Sequence, residues 1–407
     1  MSDTLLLFCL LLTAVLLGWL FGRRSMTLRL RTEPAASQAR YLSDLDRLIT
    51  VEKSSFVNAL SKILDEDQSG VEFYLVIAAL LRRRGEVEYA IECHQTLLNR
   101  FAVDSPLHGE LIFELAKDYI HAGLHDRAEL LLNDLVERYP VLRIAAMEAL
   151  LELHQGSREW HEAIAVGARM RTLLRSPALL LDAKNQQRLV ALHCALAHYH
   201  CELAEAGLAT ADHSAVRTAL AAALKLDRKS VRASWLLTAL ELELSNQEAA
   251  LRHLRRVRQQ APEWLADTVV LFLDRIQRLA PVAMVEQWML NWLDEYPSVA
   301  MIMVTTEFQL QVHGPRRTYD FLLLQLHRFP SFRPLLDLLE RHFQPEVTDL
   351  AMLFRSLKQL SDQFMEEKSK YLCSHCGFKG TKVHWQCPSC REWNSIKPIF
   401  GRNLEYR

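Results

Sequence analysis

Apolar positions fall along this chain in two regimes. From Thr4 to Gly22 the run TLLLFCLLLTAVLLGWLFG carries no charge. From about residue 37 to residue 370, apolar residues instead recur at helical spacing, interrupted by turn residues. The first regime predicts one membrane-spanning helix, because nineteen helical residues reach roughly 28 Å, close to the bilayer's hydrocarbon thickness. Arg23, Arg24, Arg29 and Arg31 follow at once, whereas only Asp3 precedes. That asymmetry leaves a short N-terminus outside and puts the bulk of the chain in the cytoplasm. Trp19 and Phe21 fall where interfacial aromatics sit. A cleaved signal peptide fits less well: no Lys or Arg precedes the run, and Ala35-Ala36-Ser37 lies far beyond it.

The second regime predicts helix pairs. Val71 to Ala102 reads as a helix, a turn at Gly85 and a second helix opened by Glu86 and carrying Ala90-Ile91. Leu111 to Pro140 repeats the plan, and aligning Gly85 with Gly123 also aligns Ala90 with Ala128. Weaker copies place Ala163-Ile164 after a turn around Gly156, and Ala250-Leu251 after Ser245-Asn246. Ala223-Leu224-Lys225-Leu226-Asp227 resembles the end of a second helix. Closing prolines at Pro262, Pro297 and Pro330 are 35 and 33 residues apart, which fits tetratricopeptide repeats of about 34 residues. Ser176 to Arg188 reads as an extended helix or an insertion between units. Such hairpins stack to bury one another's apolar faces and leave a groove. The expected fold is therefore all-α: a tetratricopeptide-repeat superhelix behind an N-terminal transmembrane helix.

Composition narrows the function. Half of the 407 residues are hydrophobic, with 13 glycines and 13 prolines, which favours helices. A formal net charge of −1 gives no global attraction to nucleic acid. No phosphate-binding, nucleophile-elbow or zinc-protease motif is present, so the chain reads as a non-enzyme. Arg82-Arg83-Arg84 and the Arg252, Arg255, Arg256 face read as solvated helix surface. His193, His198 and His200 lie near Cys194 and Cys201; without a second ligand knuckle they read as surface and packing residues.

The densest chemistry is near the C-terminus, where Cys373, Cys376, Cys387 and Cys390 form C-x2-C-x10-C-x2-C. Two such knuckles present paired thiolates that close a tetrahedron around one structural metal ion, iron or zinc. Gly377 lets the first knuckle turn, while Arg391 stands where a second knuckle glycine is usual. Phe378, Trp385 and Trp393 are expected to form a miniature core, with His375 and His384 as spectators. The segment resembles rubredoxin-like zinc ribbons.

An anchor (1–22), a basic linker (23–36), a repeat array (37–370), a metal module (371–400) and a tail (401–407) together resemble the lipopolysaccharide assembly protein B family of Gram-negative bacteria. Ala79–Leu98 and Cys376–Pro398 carry the resemblance most specifically. It implies an inner-membrane adaptor, facing the cytoplasm, that promotes degradation of the lipid A-committing deacetylase by an FtsH-type membrane protease. It also implies recruitment of other lipopolysaccharide assembly proteins. The groove and knuckle are expected to pack into one composite surface. A generic tethered scaffold and a rubredoxin-type electron carrier remain alternatives.

Overall fold

A computed structural model describes residues 71–101, 106–328 and 370–399. The apolar run Thr4–Gly22 and Pro330 lie outside them. Among the described residues no helix is long and apolar enough to cross a membrane. The chain divides into two compact units, one ending at Leu153 and the other starting at His154.

Among the described residues, the first unit holds α1 (Val71–Arg83) and α2 (Val87–Leu98), followed by α3 (Pro106–His121) and α4 (His125–Arg138); α5 (Arg143–Ser157) crosses the boundary. Tyr74, Ala78, Cys93, Leu97 and Leu111 share one buried cluster. Beside it lies a buried polar network that the sequence reading did not anticipate. Arg82 pairs with Asp118 at 2.7 Å and Glu114 at 2.6 Å, and His94 Nδ1 meets the other Asp118 oxygen at 2.5 Å. Arg82 is thus no solvated helix-end cation. It sits where α3 brings two carboxylates one turn apart, while Arg83 and Arg84 are exposed.

In the second unit come α6 (Trp160–Leu174), a single turn α7 (Pro177–Leu180) and the long α8 (Ala183–Ala209). Then follow α9 (His213–Leu226), α10 (Val231–Glu243), α11 (Gln247–Gln260) and a 3-10 turn (Pro262–Trp264). Four further helices follow among the described residues: α12 (Leu265–Leu279), α13 (Val282–Glu295), α14 (Val299–His313) and α15 (Pro315–Arg328). The Ser176–Arg188 segment resolves into α7 and the start of α8. The Asp182 side chain caps α8 by accepting from the Lys184 N–H.

One backbone device recurs. Two residues before the second helix of the first five hairpins, the chain turns through positive φ: Gly85 (83°), Gly123 (74°), Arg158 (59°), Ala211 (58°) and Ser245 (57°). Only the first two are glycine, so the other three carry a left-handed conformation at about 1–2 kcal/mol each. The turn expected around Gly156 is therefore centred on Arg158, and Gly156 belongs to α5. Three residues into the same second helices stand Ala90, Ala128, Ala163, Val216 and Ala250, all essentially inaccessible. Val216 breaks the small-residue rule, and its partner compensates. A Cβ built on Gly207 of α8 would lie 2.8 Å from Val216 Cγ2, so bulk gained on α9 is given up on α8.

That exchange predicts coupling. Gly207→Ala should strain the α8–α9 contact by about 1–3 kcal/mol, partly offset by alanine's helix propensity. Combining it with Val216→Ala should give a double variant more stable than the two single variants add up to, by about 1–2 kcal/mol in urea unfolding. Strict additivity would show that the two positions do not share the space.

Candidate metal centre and its seat

Three short strands frame the knuckles: β1 (Tyr371–Cys373), β2 (Lys379–Gly380) and β3 (Ile396–Pro398), in antiparallel order β2-β1-β3. The two knuckles repeat one hydrogen-bond plan. In the first, the Gly377 N–H donates to the Cys373 carbonyl and the Cys373 N–H to the Phe378 carbonyl, at 3.1 and 2.8 Å. In the second, Arg391 donates to the Cys387 carbonyl and Cys387 to that of Glu392, at 2.9 and 3.0 Å. Gly377 has φ +76° and Arg391 has φ +59°. Arg391 therefore occupies the left-handed position that Gly377 fills without a Cβ.

These turns bring all four sulfurs within 4.8 Å of one another. Cys373 Sγ lies 3.7 Å from Cys390 Sγ, and Cys376 Sγ lies 3.6 Å from Cys387 Sγ. A tetrahedral ion with metal–sulfur bonds of about 2.3 Å requires sulfurs roughly 3.8 Å apart, so the donor set fits such an ion. Disulfides need sulfurs near 2.05 Å, far closer than these. The Ser395 hydroxyl, 3.3 Å from Cys373 Sγ, and the Cys376 and His375 N–H groups pull the Cys373 thiol down to about 6. At Cys390 the Glu392 N–H favours thiolate, yet burial and the surrounding Cys387, Cys376 and Cys373 push it up to about 12. Four thiolates this close need a cation among them. The four cysteines form a rubredoxin-like metal-binding site, and the donor set accepts iron or zinc alike. When bound, the ion supplies a structural crosslink between the knuckles. His375 and His384 are exposed and stand outside the ligand group.

Trp385 and Trp393 do not build the expected private core. They insert into the helices of the second unit. Trp393 stacks on His198 of α8, with ring centroids 4.7 Å apart, and meets Tyr199 edge-on at 5.9 Å. Its indole N–H donates to Gln155 Oε1 at 2.8 Å, and the Tyr199 hydroxyl donates to the same oxygen. Trp385 stacks on Trp264 at 5.3 Å and meets Trp235 edge-on at 5.4 Å. Trp235 in turn donates its N–H to Thr268 Oγ1 at 2.8 Å. The Tyr371 hydroxyl donates to Asp267 Oδ1 at 2.6 Å. Tyr371, Cys373, Cys387 and Ile396 consequently belong to one buried cluster with Trp264, Val269 and Phe272.

His198 is thus a docking residue. Burial, then the Arg232 and Lys397 charges, push its imidazole down to about 3, so a neutral ring faces Trp393. Burial likewise pushes the Cys93, Cys194 and Cys201 thiols up to about 12, which leaves them inert. Sequence reasoning passed over Gln155, Tyr199, Trp235, Trp264 and Asp267. The available signal was excess aromatic surface: a module of about thirty residues carrying Trp385 and Trp393 cannot cover them alone.

Residues 371–398 match the family model described as a rubredoxin metal binding domain. The lipopolysaccharide assembly protein B of Escherichia coli (strain K12) is 30% identical over 399 residues, covering 97% of this chain and 98% of that protein. This chain belongs to the lipopolysaccharide assembly protein B family. A second relative of that name, from Haemophilus influenzae (strain ATCC 51907 / DSM 11121 / KW20 / Rd), is 25% identical over 416 residues, with 98% of each chain covered. A solved tetratricopeptide repeat protein from Parabacteroides merdae ATCC 43184 is similar at 14% identity. It covers 70% of this chain and 98% of its own length, with a TM-score of 0.31. The repeat assignment in this family member stands on its own hairpins.

Removing the metal should undo both the module and its seat. Structural zinc in small modules contributes on the order of 10–16 kcal/mol, coupled to folding. Chelation, or Cys387→Ser with Cys390→Ser, should raise amide exchange across residues 371–399 and around His198. The hairpins before Leu153 should stay protected. Unchanged exchange at His198 would show that docking does not depend on the metal.

Acid should loosen the same joint. An undocked His198 takes up a proton below its ordinary value near 6.5, whereas the docked ring does so only near 3. Docking stability contributed by this ring is therefore full above about pH 6.5. It falls as pH drops toward 3, by about 1.4 kcal/mol per pH unit at most. In metal-saturated protein, His198→Phe should flatten the dependence of Trp393 burial between pH 6.5 and 5. An identical slope in both proteins would assign the effect elsewhere.

Proposed function

We propose that this chain is a membrane-tethered, non-enzymatic adaptor in lipopolysaccharide synthesis. In this reading residues 1–22 anchor it in the bacterial inner membrane with a short periplasmic N-terminus. Residues 23–36 form a basic linker, and residues 37–370 form the cytoplasmic array. Residues 371–400 form the metal module, with Cys373, Cys376, Cys387 and Cys390 as ligands, and residues 401–407 are a tail. The array and module together hold the lipid A-pathway deacetylase for an FtsH-type protease and help gather other lipopolysaccharide assembly proteins.

The observation that carries this reading is the seating of the metal module on the helices through Trp385 and Trp393, in a chain whose relatives are named for lipopolysaccharide assembly. A fused surface of this kind suits gripping protein partners, and no described group is arranged for bond chemistry. Tethering raises the effective concentration of such a surface beside a membrane protease without new contacts.

Pulse-chase of the deacetylase after depletion of this protein tests the reading. Its half-life should lengthen several-fold and be restored by the wild type. Neither a form lacking residues 1–22 nor the Cys387→Ser, Cys390→Ser variant should restore it. An unchanged half-life on depletion would remove the degradation role.

A further inference from the structure

Helix α11 carries Arg252, Arg255, Arg256 and Arg258 within two turns. Leu254 and Val257 face the core, which turns Arg252, Arg255 and Arg256 to the exposed side. Arg258 pairs with Glu295 of α13; among the described residues the other three have no ion-pair partner. The surrounding acids do not cancel them. Helix α9 has none. On α10, Glu241 is held by Arg217 and Asn246, and Glu243 stands at the hairpin tip where the helix ends. On α13, Glu286 accepts from Gln309, Asp294 from Arg328, and Glu295 is taken by Arg258. Burial holds the His253 ring below its ordinary value, and Arg256 and Arg252 push the same way against Glu241, so it adds no charge at neutral pH. Glu248, exposed one turn before Arg252, is the acid of α11 itself. Three arginines against one glutamate leave two positive charges in excess on this face.

Apolar surface lies beside the charges. The Arg255 guanidinium sits over the Trp288 ring of α13, 5.3 Å from its centroid. Trp288 is half-buried against the core, and Met284, one turn before it, is 43% exposed. Arginine, tryptophan and methionine are enriched at protein interfaces, and tryptophan and arginine supply much of the binding energy there. Arg252 to Arg256 covers only about 6 Å of helix axis, which suits a short stretch of polypeptide. A helix lying on a bilayer offers it a broad apolar face, whereas the exposed residues of α11 are arginine, glutamine and glutamate. Single-stranded nucleic acid calls for successive aromatic platforms, and Trp288 stands here by itself.

We infer that the α11–α13 face docks an acidic segment of a protein partner. Its carboxylates meet Arg252 and Arg256, and a neighbouring apolar side chain covers Met284 and the open edge of Trp288. Guanidinium–carboxylate pairs are directional as well as attractive, so the arginines set the register of the segment. Arg255, held over Trp288, joins the charged half of the face to the apolar half. The inference rests on the adaptor reading only in supposing a protein partner; it does not depend on that partner being the deacetylase.

Fluorescence anisotropy on the full-length, metal-loaded protein in detergent provides the test. The probes are labelled, amidated ten-residue peptides, one alternating leucine with glutamate and one alternating leucine with glutamine. The glutamate peptide should bind at least tenfold tighter. Arg252→Glu with Arg256→Glu, both at exposed positions, should remove most of that preference. Arg83→Glu with Arg84→Glu makes the same charge change on the exposed end of α1 and should preserve it. Met284→Ser should weaken both peptides alike. Equal binding of the two peptides, binding by neither, or an equal loss of preference in the two double variants would overturn the inference. So would phosphatidylglycerol micelles or a single-stranded oligonucleotide that displaced the glutamate peptide at lower concentration than the unlabelled peptide does, since the face would then belong to lipid or nucleic acid. Deacetylase half-life is read separately, so failure here and failure of the degradation role are distinguishable.

Discussion

The second unit depends on one shared constraint: the metal module cannot cover its own aromatic residues. About thirty residues bury too little surface to hold a fold. The module has two remedies, a tetrahedral sulfur cage and a borrowed core. The cage fixes the knuckles, and the knuckles aim Trp385 and Trp393 outward. Helix α8 receives one through His198 and Tyr199, while α10 and the 3-10 turn receive the other through Trp235 and Trp264. Aromatic pairs contribute roughly 0.5–1.5 kcal/mol each beyond the area they bury. Several in one patch, with hydrogen bonds to Gln155 and Asp267, make the contact specific as well as adhesive.

The helices that supply this seat were legible from punctuation more than from hydrophobicity. Gly85 and Gly123 announced two hairpins because only glycine takes positive φ without strain. The same backbone turn at Arg158 and Ala211 was invisible, since neither residue type signals it. The reading accordingly centred one turn on Gly156, two residues early. Ala223–Asp227 marked the end of α9, yet Val216 stands in that helix where alanine was expected, and the compensation at Gly207 lies across the α8–α9 interface. A one-dimensional pattern cannot reveal a volume exchange between facing helices.

At the metal centre the sequence carried almost everything local and little that was distant. Spacing alone identified the four sulfurs, because knuckle geometry is set within a few residues. Even the departure at Arg391 was visible as a missing glycine, and its positive φ shows the backbone keeping the turn at some strain. What could not be read was where the module sits. Arg82 and His198 illustrate the same limit. Each was assigned a bland surface or packing role on local grounds. Arg82 instead pairs with Asp118, whereas His198, read as a packing residue, does pack, against Trp393 from distant sequence. Long side chains with a polar tip acquire their roles from what tertiary packing places opposite them.

A seat built this way couples two equilibria. If bound metal orders the knuckles and ordered knuckles dock, metal favours docking; by linkage, docking then favours metal binding by the same factor. The helices therefore act as part of the metal site although they contribute no ligand. Neutral His198 belongs to this arrangement, because a charged ring at that position would set an unpaired cation beside Arg232 and Lys397. Arg232 is tolerated only because Glu202 and Glu205 balance it from α8, and that balance leaves one donor without a partner. The joint is thus aromatic at its contacts and charge-balanced beside them.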